Sequence, residues 1–288
     1  MLAIEDTGQS MATSSEWKDR WVCIGGGTAG FGLVLARQFA QRGANVAILG
    51  RDPSRAESAA AELRTLSKGE IVAFSVDLTD VDSIQASKWK GWLAETNVSV
   101  AIAATGKSDR GYLMQLSIDD LDELLRTNIY SSFNFSKATH DALRRDSGTL
   151  VHVASLAGIV AAAGMGGYSI AKHAVVAMSR QLRLELKSLG IRVLLVCPGP
   201  IQREQSSTKG RYDELVNERA LPASLKKPAG GASLKILDPV QLADKIIVAI
   251  QQGKKELVLS SKVRWLASLG AIWPWLFDYV LKIRRDEP

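Results

Sequence analysis

Cysteine is almost absent: Cys23 and Cys197 are the only two in 288 residues, and each lies at the end of an apolar, strand-like run. That excludes a disulfide-built scaffold, and two buried, reduced thiols fit a reducing compartment. Histidine is nearly as rare, and His140, His152 and His173 follow no metal-ligand spacing, so no metal site is expected. No stretch reaches the roughly eighteen uncharged apolar residues that a plain spanning helix needs. Residues 1–16 lack the positive start and apolar centre of a secretory signal and read as a disordered leader, which makes a cytoplasmic location the expectation. Charge of one sign is not concentrated either. The net charge is +6 with a pI near 9.3, yet the basic residues are scattered, with small clusters at Lys226-Lys227, Lys254-Lys255 and Arg284-Arg285. Without a continuous basic stripe, nucleic acid is not the expected partner, whereas an anionic cofactor or a membrane surface is compatible.

What the chain does have is alternation. Strand-like runs and helical stretches succeed one another over residues 17–260, which predicts one α/β domain: a doubly wound parallel sheet of the Rossmann type, about seven strands with helices on both faces. Ligands of such sheets bind beyond the carboxyl ends of the strands, so those ends are the places to look. The first strand, residues 20–24, runs into Gly25-Gly26-Gly27-Thr28-Ala29-Gly30-Phe31-Gly32 and then an Ala- and Leu-rich helix. Glycines let the backbone approach a pyrophosphate, and the exposed amides of the helix start favour its charge.

The second strand, residues 45–49, ends in Gly50-Arg51-Asp52-Pro53. An acid at this end would accept from a free ribose 2′-hydroxyl, and a cation would pair with a 2′-phosphate. Gly50 followed by Arg51 favours NADP(H) over NAD(H), unless Arg51 only points into solvent. The third strand, residues 71–76, delivers Asp77 and Leu78 to the adenine position; Asp77 either accepts from the adenine amino group or caps the helix after Thr79. The fourth, residues 98–103, closes with Ala104-Thr105-Gly106, small enough for close approach of a cofactor.

Residues 116–145 predict one long helix capped by Ser117, with Asn128 interrupting its apolar stretch. A buried asparagine there either bonds the backbone across a kink or holds a water. The fifth strand, residues 148–154, delivers Ser155, and the sixth, residues 192–196, ends in the rigid turn Cys197-Pro198-Gly199-Pro200. Residues 202–237, polar and broken by Pro222, Pro228 and Gly230-Gly231, read as an insertion that covers a substrate or as a plain surface loop. A helix over 238–251 and a strand over 255–259 complete the domain.

Tyr168 and Lys172 stand four apart in a segment with helical apolar spacing, so they project from one helix face. An ammonium beside a phenol stabilises the phenolate and makes the pair a candidate general acid or base, although a core tyrosine with a snorkelling lysine would show the same spacing.

Taken in order, Gly26, Gly30 and Gly32, Asp77, Asn128, Ser155, Tyr168, Lys172 and Pro198-Gly199 resemble the motifs of the short-chain dehydrogenase/reductase family, and the resemblance spans residues 17–260. It implies that Tyr168 donates a proton to a substrate carbonyl oxygen as hydride arrives from the nicotinamide. Lys172 would lower the tyrosine pKa and bond the nicotinamide ribose, Ser155 would hold the carbonyl oxygen, and Asn128 would hold a water that links Lys172 to solvent. Cofactor contacts are implied for Gly26, Thr28, Gly30, Phe31, Gly32, Arg51, Asp77, Leu78, Gly106, Tyr168, Lys172, Pro198, Gly199 and Ile201. The expected activity is reduction of a ketone or aldehyde by NADPH, with an NAD-dependent alcohol dehydrogenase or a non-catalytic nucleotide sensor as alternatives. A homodimer or homotetramer is the assembly the family implies. Three positions depart from its pattern: Gly25 where a threonine is common, Ala103-Ala104-Thr105-Gly106 where many members have Asn-Asn-Ala-Gly, and Arg203 in place of a threonine after Pro-Gly.

Beyond the domain, residues 261–288 form an apolar extension. Trp265, Trp273 and Trp275 with Leu and Ile neighbours lie between Lys262, Arg264 and Lys282, Arg284, Arg285, and Pro274 divides the run into two short helices. Such a segment suits a membrane interface through 263–283, or packs on a substrate cleft or a neighbouring subunit. In each case the substrate is more apolar than a sugar.

Overall fold

The computed structural model describes residues 16–161, 163–202, 234–273 and Trp275. Seven parallel strands form one sheet in the order β3-β2-β1-β4-β5-β6-β7: β1 Trp21–Gly25, β2 Asn45–Gly50, β3 Ile71–Ser75, β4 Val100–Ala103, β5 Thr149–Val153, β6 Arg192–Cys197 and β7 Glu256–Val258. Each central strand is apolar on both sides, as burial on both faces demands. Val22, Ile24, Val46, Ile48 and Ile102 face one way, against α1 (Gly30–Gln41) and α2 (Pro53–Leu66). Cys23, Ala47, Leu49, Ala101 and Leu150 face the other, against α4 (Lys88–Glu95) and α6 (Ser131–Arg145). The alternation is the period of two that extended backbone imposes. Burial pushes both thiols up to about 12, so Cys23 and Cys197 remain protonated and unpaired.

The strand order reverses between β1 and β4. Strands β2 and β3 wind out from β1 on one side, while β4 to β7 wind out on the other, which leaves a crevice at the carboxyl ends of β1 and β4. Helix starts are set locally. Asp52, before Pro53, accepts from the amides of Ser54 and Arg55 at 2.9 and 3.1 Å and caps α2. Asp238, before Pro239, accepts from Gln241 N at 2.8 Å and caps α8 (Pro239–Gln251). The leader's last residue, Glu16, accepts from Gln251 Nε2 at 2.6 Å; residues 1–15 lie outside the described residues, as do 203–233, with Arg203, and most of the extension beyond α9 (Ser261–Ile272).

One expectation is borne out with a local irregularity, and one is corrected. The helix expected over 116–145 runs without a break from Ile118 to Arg145 behind its Ser117 cap, and a π-helical turn over Arg126–Tyr130 divides it into α5 (Ile118–Leu125) and α6, where Asn128 Nδ2 donates to Leu124 O. The helix after Thr79, α3 (Val81–Ala86), is capped by Asp80, whose carboxylate accepts from Asp82 N at 3.0 Å, and not by Asp77. Asp77 instead accepts from both the amide and the hydroxyl of Thr79, at 2.9 and 2.8 Å, so it shapes the turn that follows β3.

Candidate functional site

At the end of β1 the chain turns so tightly that a Cβ on Gly32 would overlap the carbonyl of Gly26. Only glycine permits that approach, which seats the first turn of α1 directly over the strand end. Ala29 at the N-cap offers no side-chain hydrogen bond, and the first turn carries no acid, so the starting amides of α1 are left for an outside acceptor. Gly30 has φ +53°, and a side chain there would meet nothing within 4 Å. Uncapped amides, an open surface and a helix N-terminus together fit an anionic pyrophosphate. Thr28 is buried beneath the loop, and Phe31 is half-buried against the core.

Thr28 also fills the space beside Gly50, where any Cβ would run into its hydroxyl. A carboxylate cannot be built at the end of β2 while Thr28 stands there. Asp52 takes the Ser54 hydroxyl at 2.6 Å and the amides of Arg55 and Ser54 on Oδ1 as it caps α2, and these bonds hold its pKa below the ordinary carboxylate value. Arg51 is exposed, its carbonyl accepts from Ser75 Oγ at 2.9 Å, and its guanidinium makes no ion pair among the described residues. At the end of β3, Leu78 is buried and its carbonyl accepts from Asn134 Nδ2 at 3.0 Å, tying the strand end to α6.

The second half of the site is assembled around a lysine. Lys172, on α7 (Gly166–Glu185), is 4 % exposed and donates from Nζ to Val153 O at 3.1 Å, at the end of β5. Burial lowers its pKa from 10.5 to about 8, with Cys197 acting weakly in the other direction. One turn earlier, the Tyr168 ring lies with its centroid 5.8 Å from that Nζ. Across from them, Asn128 is fully buried. Its Nδ2 donates to Leu124 O at 2.9 Å and Lys107 O at 3.0 Å, while its Oδ1 has no partner although no solvent reaches it. A Cβ placed on Gly106 would come within 2.8 Å of that Oδ1 and 3.2 Å of Lys172 Nζ, so the three positions converge on one spot. A buried acceptor without a donor is costly and fits a hydrogen-bonded guest such as a water beside the lysine.

Ser155 stands at the end of β5, half-buried, where Oγ accepts from Ala157 N at 3.1 Å and caps a short 3₁₀ turn. Pro198 closes β6, with its carbonyl taking the amide of Leu156 at 2.9 Å, and Gly199 packs near the Leu156 side chain. Ile201 pairs with Leu237 in an isolated bridge made by Pro200 O and Gln202 N, which leaves Ile201's own amide facing away from it.

Two features were not legible in the sequence. Thr105 bonds Ser131 at 2.7 Å, so this unusual residue ties the β4 end to α6, and only the fold reveals its partner. Asp109 and Arg110, both buried, form a strap with the loop before α7. Gly111 N donates to Gly164 O and Gly111 O accepts from Gly166 N, Arg110 Nη1 lies 3.0 Å from Met165 Sδ, and a Cβ on Gly166 would overlap Asp109 Oδ2. Tyr168 follows two residues later.

The sequence profile of the short chain dehydrogenase family matches residues 20–213. The chain is 30% identical over 196 residues to a 3-oxoacyl-[acyl-carrier-protein] reductase of Chlamydia muridarum, covering 68% of this chain and 78% of that protein. A dehydrogenase/reductase SDR family member 7B of Danio rerio is 26% identical over 277 residues, 94% of this chain and 87% of its own length. Among solved structures, a 3-oxoacyl-[acyl-carrier protein] reductase from Brucella melitensis shares the fold with a TM-score of 0.70 at 21% identity, over 90% of this chain and 96% of that one. A short-chain dehydrogenase from Sphingobium yanoikuyae, in complex with NADPH, superposes with a TM-score of 0.68 at 22% identity, over 93% and 98%. With the profile spanning well over half of its length and the sheet, glycine turn and buried lysine in place, this chain belongs to the short-chain dehydrogenase/reductase family and is an NAD(P)-dependent oxidoreductase.

Proposed function

We propose that the protein reduces a ketone or aldehyde to an alcohol with NADPH, on an apolar substrate of lipid-like or 3-oxoacyl type. The observation that carries this reading is the convergence of Lys172 Nζ and the unpartnered Asn128 Oδ1 beside Gly106, with the Tyr168 ring centroid 5.8 Å from that Nζ. A bound nicotinamide would supply the hydride. Tyr168 donates its hydroxyl proton to the carbonyl oxygen, and Ser155 Oγ donates a hydrogen bond to the same oxygen as negative charge develops. Lys172, already desolvated, holds positive charge near the phenol and resupplies the proton through a water on Asn128 Oδ1. Gly26, Gly30 and Gly32 with the α1 amides would hold the pyrophosphate, Asp77 and Leu78 the adenine, and Pro198, Gly199 and Ile201 the nicotinamide end. NADPH is preferred over NADH because Thr28 excludes an acid at position 50 while Arg51 stands exposed beside it.

The similarity to 3-oxoacyl reductases supports the carbonyl class. Turnover of NADPH and NADH against carbonyl compounds graded by chain length tests the reading. Tyr168→Phe is expected to lose at least about a thousandfold in kcat, and Arg51→Ala to raise the KM for NADPH about tenfold while leaving NADH unchanged. Full turnover by Tyr168→Phe would refute the assignment of the acid. Tight NADPH binding without turnover across the whole panel would favour a nucleotide sensor instead.

A further inference from the structure

The geometry points to a docking face for an anionic lipid bilayer on α9, placed so that the site opens toward the membrane. Helix α9 follows β7 at the carboxyl edge of the sheet, the edge that carries the site. Ser260 starts it, with Oγ accepting from Val263 N at 3.2 Å. Val263 is the inward contact. It packs against the cluster of Ala154, Leu156, Val175 and Leu195, and Ala154 and Leu156 are the two neighbours of Ser155.

At 3.6 residues per turn, Trp265 lies across the helix from Val263, and Ile272, seven residues further on, returns to the face of Trp265. Both are bare: Trp265 is 69% exposed and Ile272 66%. Trp273 and Trp275 follow at 47% and 69%. Lys262 and Arg264 are exposed beside them, and Lys235 stands next to exposed Ile236 where the chain approaches α8.

The charge pattern decides between occupants. Tryptophan indoles and cations at one level match the headgroup boundary of a bilayer, where the ring is half in hydrocarbon and the ammonium meets lipid phosphate. A second copy is a poorer partner. An isologous contact sets a patch against itself and would bring the positive patch of Lys262 and Arg264 against an equally positive one. Seated on a bilayer, α9 would hold the wall that carries Ser155 close to the surface, so that an apolar carbonyl compound passes from lipid to the site without crossing water. The docking stands on the surface alone; the delivery of substrate rests on the reading of the site as a carbonyl reductase.

Co-sedimentation of the full chain with vesicles tests the docking, using phosphatidylcholine alone and phosphatidylcholine mixed with phosphatidylserine. The wild-type protein is expected in the pellet with the mixed vesicles and mostly in the supernatant with phosphatidylcholine. The double variants Trp265→Ser with Ile272→Ser, and Lys262→Glu with Arg264→Glu, should each lose at least about tenfold in binding while NADPH binding is unchanged. The proposal is overturned if the wild type stays in the supernatant with both vesicles, or if the Trp265 and Ile272 variant sediments like the wild type. It is overturned in favour of a second copy if that variant abolishes self-association on size-exclusion chromatography. Intact sedimentation without any NADPH turnover would refute the reading of the site and leave the docking in place.

Discussion

At the scale of single residues, the site is dominated by one buried charge. Lys172 in the folded protein releases its proton near pH 8, against 10.5 for a free lysine, because desolvation outweighs its surroundings. Between those values the unfolded chain binds more protons than the folded one, so stability rises with pH through that window. Below about pH 8 the cost of burying the ammonium is fully present, and it corresponds to about 3 kcal/mol. Lys172→Met should abolish this rise. In urea unfolding of the cofactor-free protein at about pH 7 and about pH 10, the wild type should gain on the variant by a few kcal/mol at the higher pH. Parallel behaviour of the two proteins would show that the lysine is solvated. A group tolerated at such cost, with the Tyr168 ring beside it, supports the proposed role of Lys172 in proton transfer. Nearby His152 is held neutral, its pKa lowered to about 4 by burial and then by Lys172, and its Nε2 bonds Ser136 Oγ at 2.8 Å.

At the scale of elements, two local departures from regular helix build the site. The π turn at Arg126–Tyr130 exists because Asn128 turns its amide onto Leu124 O and Lys107 O, which places its remaining oxygen toward Lys172. The start of α7 is the second. Gly166 has φ +53° and lies against Asp109, so the strap from the β4–α5 connection sets where Tyr168 stands. Gly167 is equally confined, by Leu116, Leu121 and Leu124. Gly166→Ala should destabilise the fold by about 1–3 kcal/mol, through the left-handed backbone and the displaced carboxylate. Because the strain falls two residues before Tyr168, kcat should drop more than about tenfold with the NADPH dissociation constant little changed. Equal loss of cofactor affinity and turnover would show general unfolding in place of a misplaced tyrosine. The sequence exposed the asparagine and offered two meanings for it; the hydrogen bonds select the kink while leaving Oδ1 free to hold a guest. It gave no hint of Asp109 and Arg110, since a charged pair in a loop reads as solvated until the fold shows it buried.

At the scale of the whole molecule, the π turn, α6 and α7 present Tyr130, Phe133, Ile170 and Leu184 to solvent, at 44, 48, 41 and 75% exposure. Four large apolar side chains along the α5–α6 run and α7, which meet at the π turn, are more than isolated exposed residues, and they support the homodimer or homotetramer that the family implies. Phe133→Glu is expected to shift the protein from dimer to monomer in sedimentation velocity. An unchanged sedimentation coefficient would place the interface elsewhere. No helix among the described residues is long and apolar enough to cross a membrane.

The sequence by itself determined the alternation of strands and helices, the glycine turn after the first strand and the Tyr168–Lys172 pair, because each rests on spacing within a few residues, where backbone geometry fixes direction. Its local reading also extended to the caps Ser117 and Asp238, whose side chains reach amides only three residues away. Only the tertiary structure decided what meets across the sheet edge. It assigned Asp77 to its own turn and Asp80 to the cap, showed Thr28 closing the space beside Gly50, and brought Gly106, Asn128 and Lys172 together. Those contacts join residues far apart in the chain, and their distances are set by how strands and helices pack against one another.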